Sequence, residues 1–222
     1  KYILGRLLNL DQIIKENLKN YNFHKLYKEL FNFCSLELSS FYFDIRKDVL
    51  YCDDINSKKR KNCIIVLNII LECLLKWLAP IFVFTTEEIF SLLNNNEKSI
   101  HETEFPVIPN SWMNKKLEKK WKDLHHIKQE VNIAIEEKRT NKELGSSLEA
   151  DILIYVNEKN FTLLEDLDLE EYFITSKAKK IKDEKNNLRI VVKKASGSKC
   201  PRCWKILEKE CRRCSEVNNK QN

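Results

Sequence analysis

Four of the 8 cysteines in this 222-residue chain stand as two pairs, Cys200-Pro-Arg-Cys203 and Cys211-Arg-Arg-Cys214, with seven residues between them. A two-residue gap lets both sulfurs of a pair approach one ion at about 2.3 Å, and two such knuckles supply a tetrahedral site. Four thiolates leave no open position, so the spacing predicts one structural ion, Zn²⁺ by preference; spacing alone also admits iron. A thioredoxin-type pair would lie between a strand and a helix of a βαβ unit, a context missing around these pairs. Cys34, Cys63 and Cys73 fall in helical patterns as small apolar residues and Cys52 in a loop. Without a secretion signal, a disulfide framework is not expected.

Four thiolates and a divalent ion leave a net charge of −2. Lys199, Arg202, Lys205, Arg212 and Arg213 offset it and could also face a phosphate backbone. Residues 196–222 carry seven Lys or Arg against three Glu, most of the chain's net +6. Trp204 follows the first knuckle. It would either stack on an unpaired base, worth roughly 1–3 kcal/mol, or pack over the small metal module. A second basic group, Arg46 and Lys47, ends one helical pattern, and Lys58, Lys59, Arg60 and Lys61 open the next. Lysine at a helix N-terminus opposes the macrodipole, so local stability does not explain it; phosphate contact does. Asp44 and Asp48, four apart, share a helical face and would pair with a nearby Arg or Lys. His125 and His126 are adjacent, point apart on a helix and read as structural.

Apolar periodicity predicts the elements that carry these groups. Helices are expected over residues 1–20 (Ile3, Leu7, Leu10 and Ile14 on one face), 23–48, 58–79 and 85–93, the last capped by Thr85 or Thr86. A connector over 94–110 precedes a long charged helix over 112–142 with Ile127, Val131, Ala134 and Ile135 as its stripe. Trp112 and Trp121 are expected to pack that helix onto the bundle. Strands are expected at 151–156, 172–175 and 188–192, with a short helix at 160–166. Only 3 Gly and 4 Pro favour helices over a many-stranded sheet. The apolar run 63–84 is broken by Asn68, Glu72, Lys76 and Pro80, which suits a largely buried helix and not a membrane span. The chain opens straight into an amphipathic pattern at Lys1, without an initiator Met, and reads as the end of a longer protein.

The cluster Gly197-Ser-Lys-Cys-Pro-Arg-Cys-Trp204 with Cys211-Arg-Arg-Cys214 resembles the C-terminal zinc module of bacterial isoleucyl-tRNA synthetases, a class I family. Three further stretches strengthen the resemblance, in family order. Leu38-Ser-Ser-Phe-Tyr-Phe-Asp-Ile-Arg-Lys-Asp-Val-Leu-Tyr-Cys-Asp53 is similar to the anticodon-binding helix motif. Leu78-Ala-Pro-Ile-Phe-Val-Phe-Thr-Thr-Glu-Glu-Ile-Phe90 looks like the motif that closes that bundle. Lys142-Glu-Leu-Gly-Ser-Ser-Leu-Glu-Ala150 resembles the junction that follows.

The resemblance implies a mainly α chain: a helical anticodon-binding bundle (1–95), a connector and long helix (96–145), a small α+β junction (146–195) and a C-terminal four-cysteine zinc module (196–222). It implies recognition of the anticodon region of isoleucine tRNA. ATP-dependent aminoacylation belongs to an N-terminal catalytic half whose signatures, His-Ile-Gly-His and Lys-Met-Ser-Lys-Ser, do not occur here; the chain by itself is expected to be inactive. Metal ligands would be Cys200, Cys203, Cys211 and Cys214. Contacts to tRNA would come from Arg46, Lys47, Lys58, Lys59, Arg60, Lys61, Arg202, Trp204, Arg212 and Arg213. Partners would be isoleucine tRNA and the catalytic half, with neither DNA nor membrane, in a cytoplasmic monomer. The family's zinc module usually has a longer stretch between its knuckles than the seven residues here. Two rivals remain: a freestanding RNA-binding module derived from a synthetase, and the end of a zinc-finger DNA glycosylase. The glycosylase would need a helix–two-turn–helix before the cysteines, where this sequence reads as strands.

Overall fold

The structure is a computed structural model that describes residues 1–93, 98–185 and 188–219. The start of the expected connector, 94–97, lies outside the described residues. In chain order the helices are α1 (Tyr2–Lys19), α2 (Phe23–Asn32), a π-helix (Phe33–Phe43), α3 (Asp44–Cys52), α4 (Lys58–Leu78), α5 (Val83–Leu93), α6 (Lys115–Thr140), α7 (Glu158–Leu163), α8 (Leu169–Phe173) and α9 (Arg212–Asn219). The strands are β1 (Ala150–Val156), β2 (Lys177–Lys182), β3 (Leu188–Lys194), β4 (Ser198–Lys199) and β5 (Ile206–Leu207). Two compact units result: Lys1–Tyr42 with Lys58–Lys115, and Phe43–Ser57 with Lys116–Asn222.

In the first unit α1 packs on α2 and α4. Ile3, Leu7, Leu10 and Ile14 are buried, as their spacing required. Gly5 sits where a Cβ would come within 3.1 Å of the Trp112 carbonyl oxygen, a tight contact that glycine avoids. Trp77 is fully buried, and its indole N–H donates to Asp11 at 3.1 Å. Asp11 also takes Lys15 at 2.7 Å, so this buried carboxylate is compensated. Along α4, Glu72 and Lys76 pair at 2.9 Å on the expected polar stripe. Among the described residues no helix is long and apolar enough to cross a membrane.

Several sequence expectations for the helices change. The helix expected over 23–48 is not uniformly α: eleven residues, Phe33–Phe43, widen to π geometry. Buried positions there are Phe33, Leu38, Phe41 and Tyr42. The step of five from 33 to 38 matches an i→i+5 ladder, and the Ser40 hydroxyl donates to the Ser35 carbonyl at 2.7 Å. The three-residue spacing of Phe23 from Leu26 and of Tyr27 from Leu30 predicts one apolar face, yet Phe23 and Tyr27 are exposed and only the two leucines are buried. Thr85 and Thr86 lie inside α5 and cap nothing; the Thr86 hydroxyl bonds back to the Phe82 carbonyl at 2.9 Å.

In the second unit a three-stranded sheet has the order β2-β1-β3, with β1 parallel to β2 and antiparallel to β3. Ala150, Ile152, Ile154 and Val156 bury one face of β1. The parallel pairing needs a crossover, which α7 and α8 supply. Tyr172–Thr175, expected as a strand, is instead the end of α8 and its cap: Asp168 accepts from the Glu171 N–H, and Ile174 turns left-handed at φ 58°. The missed strand is β2, whose four lysines hid its pattern. Trp121 packs against Tyr172 at 5.6 Å between ring centroids, within this unit.

Candidate metal centre and the cleft beside it

The β4–β5 hairpin carries the first knuckle. Ser198 pairs with Leu207 and Lys199 with Ile206, and the Cys200 N–H extends the ladder to the Lys205 carbonyl at 2.9 Å. Gly197 makes the hairpin possible. Its φ is +123°, and a Cβ there would stand 2.1 Å from the Leu207 carbonyl oxygen. The second knuckle leads into α9. Ser176, almost fully buried, ties the module to the sheet: its hydroxyl accepts from the Ile206 N–H at 2.6 Å and donates to the Leu148 carbonyl.

Hairpin and α9 bring Cys200, Cys203, Cys211 and Cys214 together, with all four sulfurs within 4.8 Å of one another. A tetrahedron with metal–sulfur bonds of about 2.3 Å has edges of about 3.8 Å, and Cys203 and Cys211 stand 3.8 Å apart. The four residues therefore fit one ion. Cys203 and Cys214 are buried, and burial pushes both thiols above their usual range. Burial also raises Cys200, but the backbone N–H groups of Cys203 and Arg202 turn toward its sulfur and bring it down to about 7. N–H groups aimed at a sulfur favour the thiolate, the form that binds metal.

Cys52, the last residue of α3, packs against this cluster. Its thiol donates to the Arg202 carbonyl at 3.7 Å, and burial, then Asp48, push it up to about 11. The four sulfurs within 4.8 Å of one another do not include that of Cys52, which is a neighbour of the site.

Beside the module lies a cleft of about 720 Å³. Its walls are α3 (Asp44, Ile45, Lys47, Asp48, Tyr51, Cys52), the Ser146–Leu148 turn, α8 (Glu170, Glu171) and the first knuckle (Lys199, Arg202, Trp204, Lys205). Its charges are sorted. Arg46 pairs with Glu171 at 2.6 Å, Lys205 with Glu170 at 2.9 Å, and Arg213 with Asp48 at 2.5 Å. Lys47, Lys199 and Arg202 have no carboxylate partner among the described residues. Tyr51 and Trp204 are 73% and 56% exposed, so two aromatic rings meet solvent at the cleft. Trp204 holds a left-handed backbone, φ 65°, and the Lys199 ammonium lies 5.8 Å from its ring centroid.

Of the residues singled out from sequence, Lys47, Arg202 and Trp204 line this cleft. Arg46 and Arg213 belong to the same unit but are taken up by carboxylates. Arg212 is almost fully exposed on α9 and pairs with Glu216 at 2.7 Å. Lys58, Lys59, Arg60 and Lys61 open α4 in the other unit, three of them exposed and Arg60 half-buried. Sequence reasoning did not mark Tyr51 or the Ser146–Ser147 turn as cleft residues, although both lie inside motifs already noted. The face shared by Asp44 and Asp48 did signal the Arg213 pair.

Residues 1–154 match the model for the anticodon-binding domain of tRNA ligases. The chain belongs to that family. Isoleucine–tRNA ligases match nearly all of it. That of Pelagibacter ubique is 51% identical over 97% of this chain and 24% of its own length. The Agrobacterium fabrum ligase is 37% identical over 93% of the chain and 22% of its own length, and that of Natranaerobius thermophilus 35% identical over 100% and 26%. The chain thus spans about a quarter of the ligases it matches. The helical anticodon-binding architecture with a small sheet and a four-cysteine cluster is as expected.

Proposed function

We propose that this chain is the tRNA-binding end of an isoleucine–tRNA ligase. In this reading it holds the anticodon region of isoleucine tRNA while a catalytic part elsewhere in the parent enzyme performs ATP-dependent aminoacylation. The cleft carries the reading: two solvent-facing aromatics, Tyr51 and Trp204, beside Lys47, Lys199 and Arg202, cations that no carboxylate neutralises among the described residues. Bases of a single-stranded loop are recognised when splayed onto aromatic faces, while cations hold the backbone. Lys58, Lys59, Arg60, Lys61 and Arg212 would add phosphate contacts. Arg46, bound to Glu171, would act by placing α3. The cysteine set favours Zn²⁺, since four thiolates in tetrahedral array suit it; when bound it supplies a crosslink and no chemistry. The protein would work as a cytoplasmic monomer alongside its catalytic half.

Competition binding of isoleucine and valine tRNA at two salt concentrations, with and without chelator, tests this. Selective binding that weakens with salt and with chelation is the expected result. Equal affinity for the two tRNAs would reduce the surface to a generic basic one. Absence of binding to either would overturn the reading for this chain.

A further inference from the structure

Arg213 sits inside the second knuckle, between the ligands Cys211 and Cys214, so an ion bound there fixes its backbone. Its guanidinium lies within reach of Cys203 and meets α3. Nη1 and Nη2 donate to the two oxygens of Asp48 at 2.5 and 2.8 Å, and Nη1 also reaches Asp53 at 3.2 Å. Burial works against the charge on Asp48, yet the hydrogen bonds and charge of Arg213 hold its carboxyl below the usual carboxylate range. A forked, charge-assisted contact of this kind fixes direction as well as distance. The first knuckle grips the same helix end. Arg202 Nη2 donates to the Tyr51 carbonyl at 3.3 Å, where a cation suits the negative end of the helix, and Cys52 donates to the Arg202 carbonyl.

Lys47 and Tyr51 flank Asp48 along α3, so whatever sets Asp48 sets them. We infer that Arg213 is a positioning residue that couples metal occupancy to the placement of the RNA-contacting end of α3. This rests on the RNA-binding reading above. Seen from α3, losing the ion and losing the guanidinium are one perturbation. Without the ion the knuckle no longer holds Arg213 in place; without the guanidinium the knuckle has no hold on Asp48.

The test is a cycle on the full chain: wild type and Arg213→Gln, each with one zinc per chain and after chelation. Two readouts are taken, amide hydrogen exchange across α3 and affinity for isoleucine tRNA. Metal-loaded R213Q should retain one zinc yet exchange its α3 amides roughly tenfold faster, the size of one half-exposed charge-assisted contact. Chelated wild type should look the same, and chelating R213Q should add little. Asp48→Asn, which leaves the knuckle untouched, should match R213Q and keeps the test valid if R213Q fails to hold metal. Tyr51 and Lys47 contributions to tRNA affinity should fall in parallel. Unchanged α3 exchange in loaded R213Q or D48N, or losses that multiply around the cycle, would overturn the proposal. If exchange follows the expected pattern while no species binds tRNA, the coupling stands and the RNA-binding reading fails.

Discussion

Trp204 and Lys128 are two residues whose placement is costly to the fold. A left-handed backbone on a non-glycine residue costs on the order of 1–2 kcal/mol, and at Trp204 it coexists with a ring more than half exposed. A residue kept for stability would be neither strained nor exposed, which points to binding. Trp204→Gly should therefore leave thermal stability equal or higher while tRNA affinity falls about 5- to 150-fold, the value of one stacked base; melting and binding curves of the same preparation check this. Lys128 is 7% exposed; its ammonium donates to the Tyr172 carbonyl at 2.6 Å. Burial lowers its pKa to about 8, with Asp44 opposing. Between about pH 8 and 10.5 the unfolded chain then binds more protons than the folded one, so stability rises with pH across that window, by up to about 3 kcal/mol. The rise should be present in wild type and missing in Lys128→Met when denaturant midpoints are compared at about pH 7.5 and about pH 10.

At the scale of elements, the β4–β5 hairpin depends on Gly197. Gly197→Ala would drive a methyl into the Leu207 carbonyl at a φ that L-residues resist. It should weaken metal retention at least tenfold against a competing chelator while the helicity of α1, α2, α4 and α5 is kept by circular dichroism. The sequence exposed this metal module plainly, because C-x2-C spacing encodes sulfur geometry in the chain itself. It exposed α1, α4 and β1 through period alone, since each buries one regular face. It did not expose the π-helix, whose five-residue step between Phe33 and Leu38 looks like noise in a 3.6-residue pattern. Nor did it expose β2, where Lys177, Lys179, Lys180 and Lys182 mask a strand placed by its parallel partner β1. The Ile174 turn was equally hidden: β-branched and aromatic residues around it favour a strand locally, and the crossover overrides them. The cleft was half legible: its cations and Trp204 stood out, whereas Tyr51 became a wall only once α3 met the first knuckle.

For the whole molecule, two compact units with separate cores should melt separately. Trp77 reports on the first and Trp121 on the second. Chelation should lower the transition of the second unit by several degrees, because a metal that binds only the folded state stabilises by mass action; the first transition should stay in place. Differential scanning calorimetry of holo and chelated protein distinguishes this from a single shifted transition.

The second unit is also discontinuous, and this sets an order of events during synthesis. Asp48 waits for Arg213, 165 residues later. At roughly 5–20 residues per second, that is on the order of 10–30 s on the ribosome. Until then α3 offers Cys52 and Asp48, still without its Arg213 partner, to its surroundings, and chaperone or misfolding encounters are to be sought in that interval.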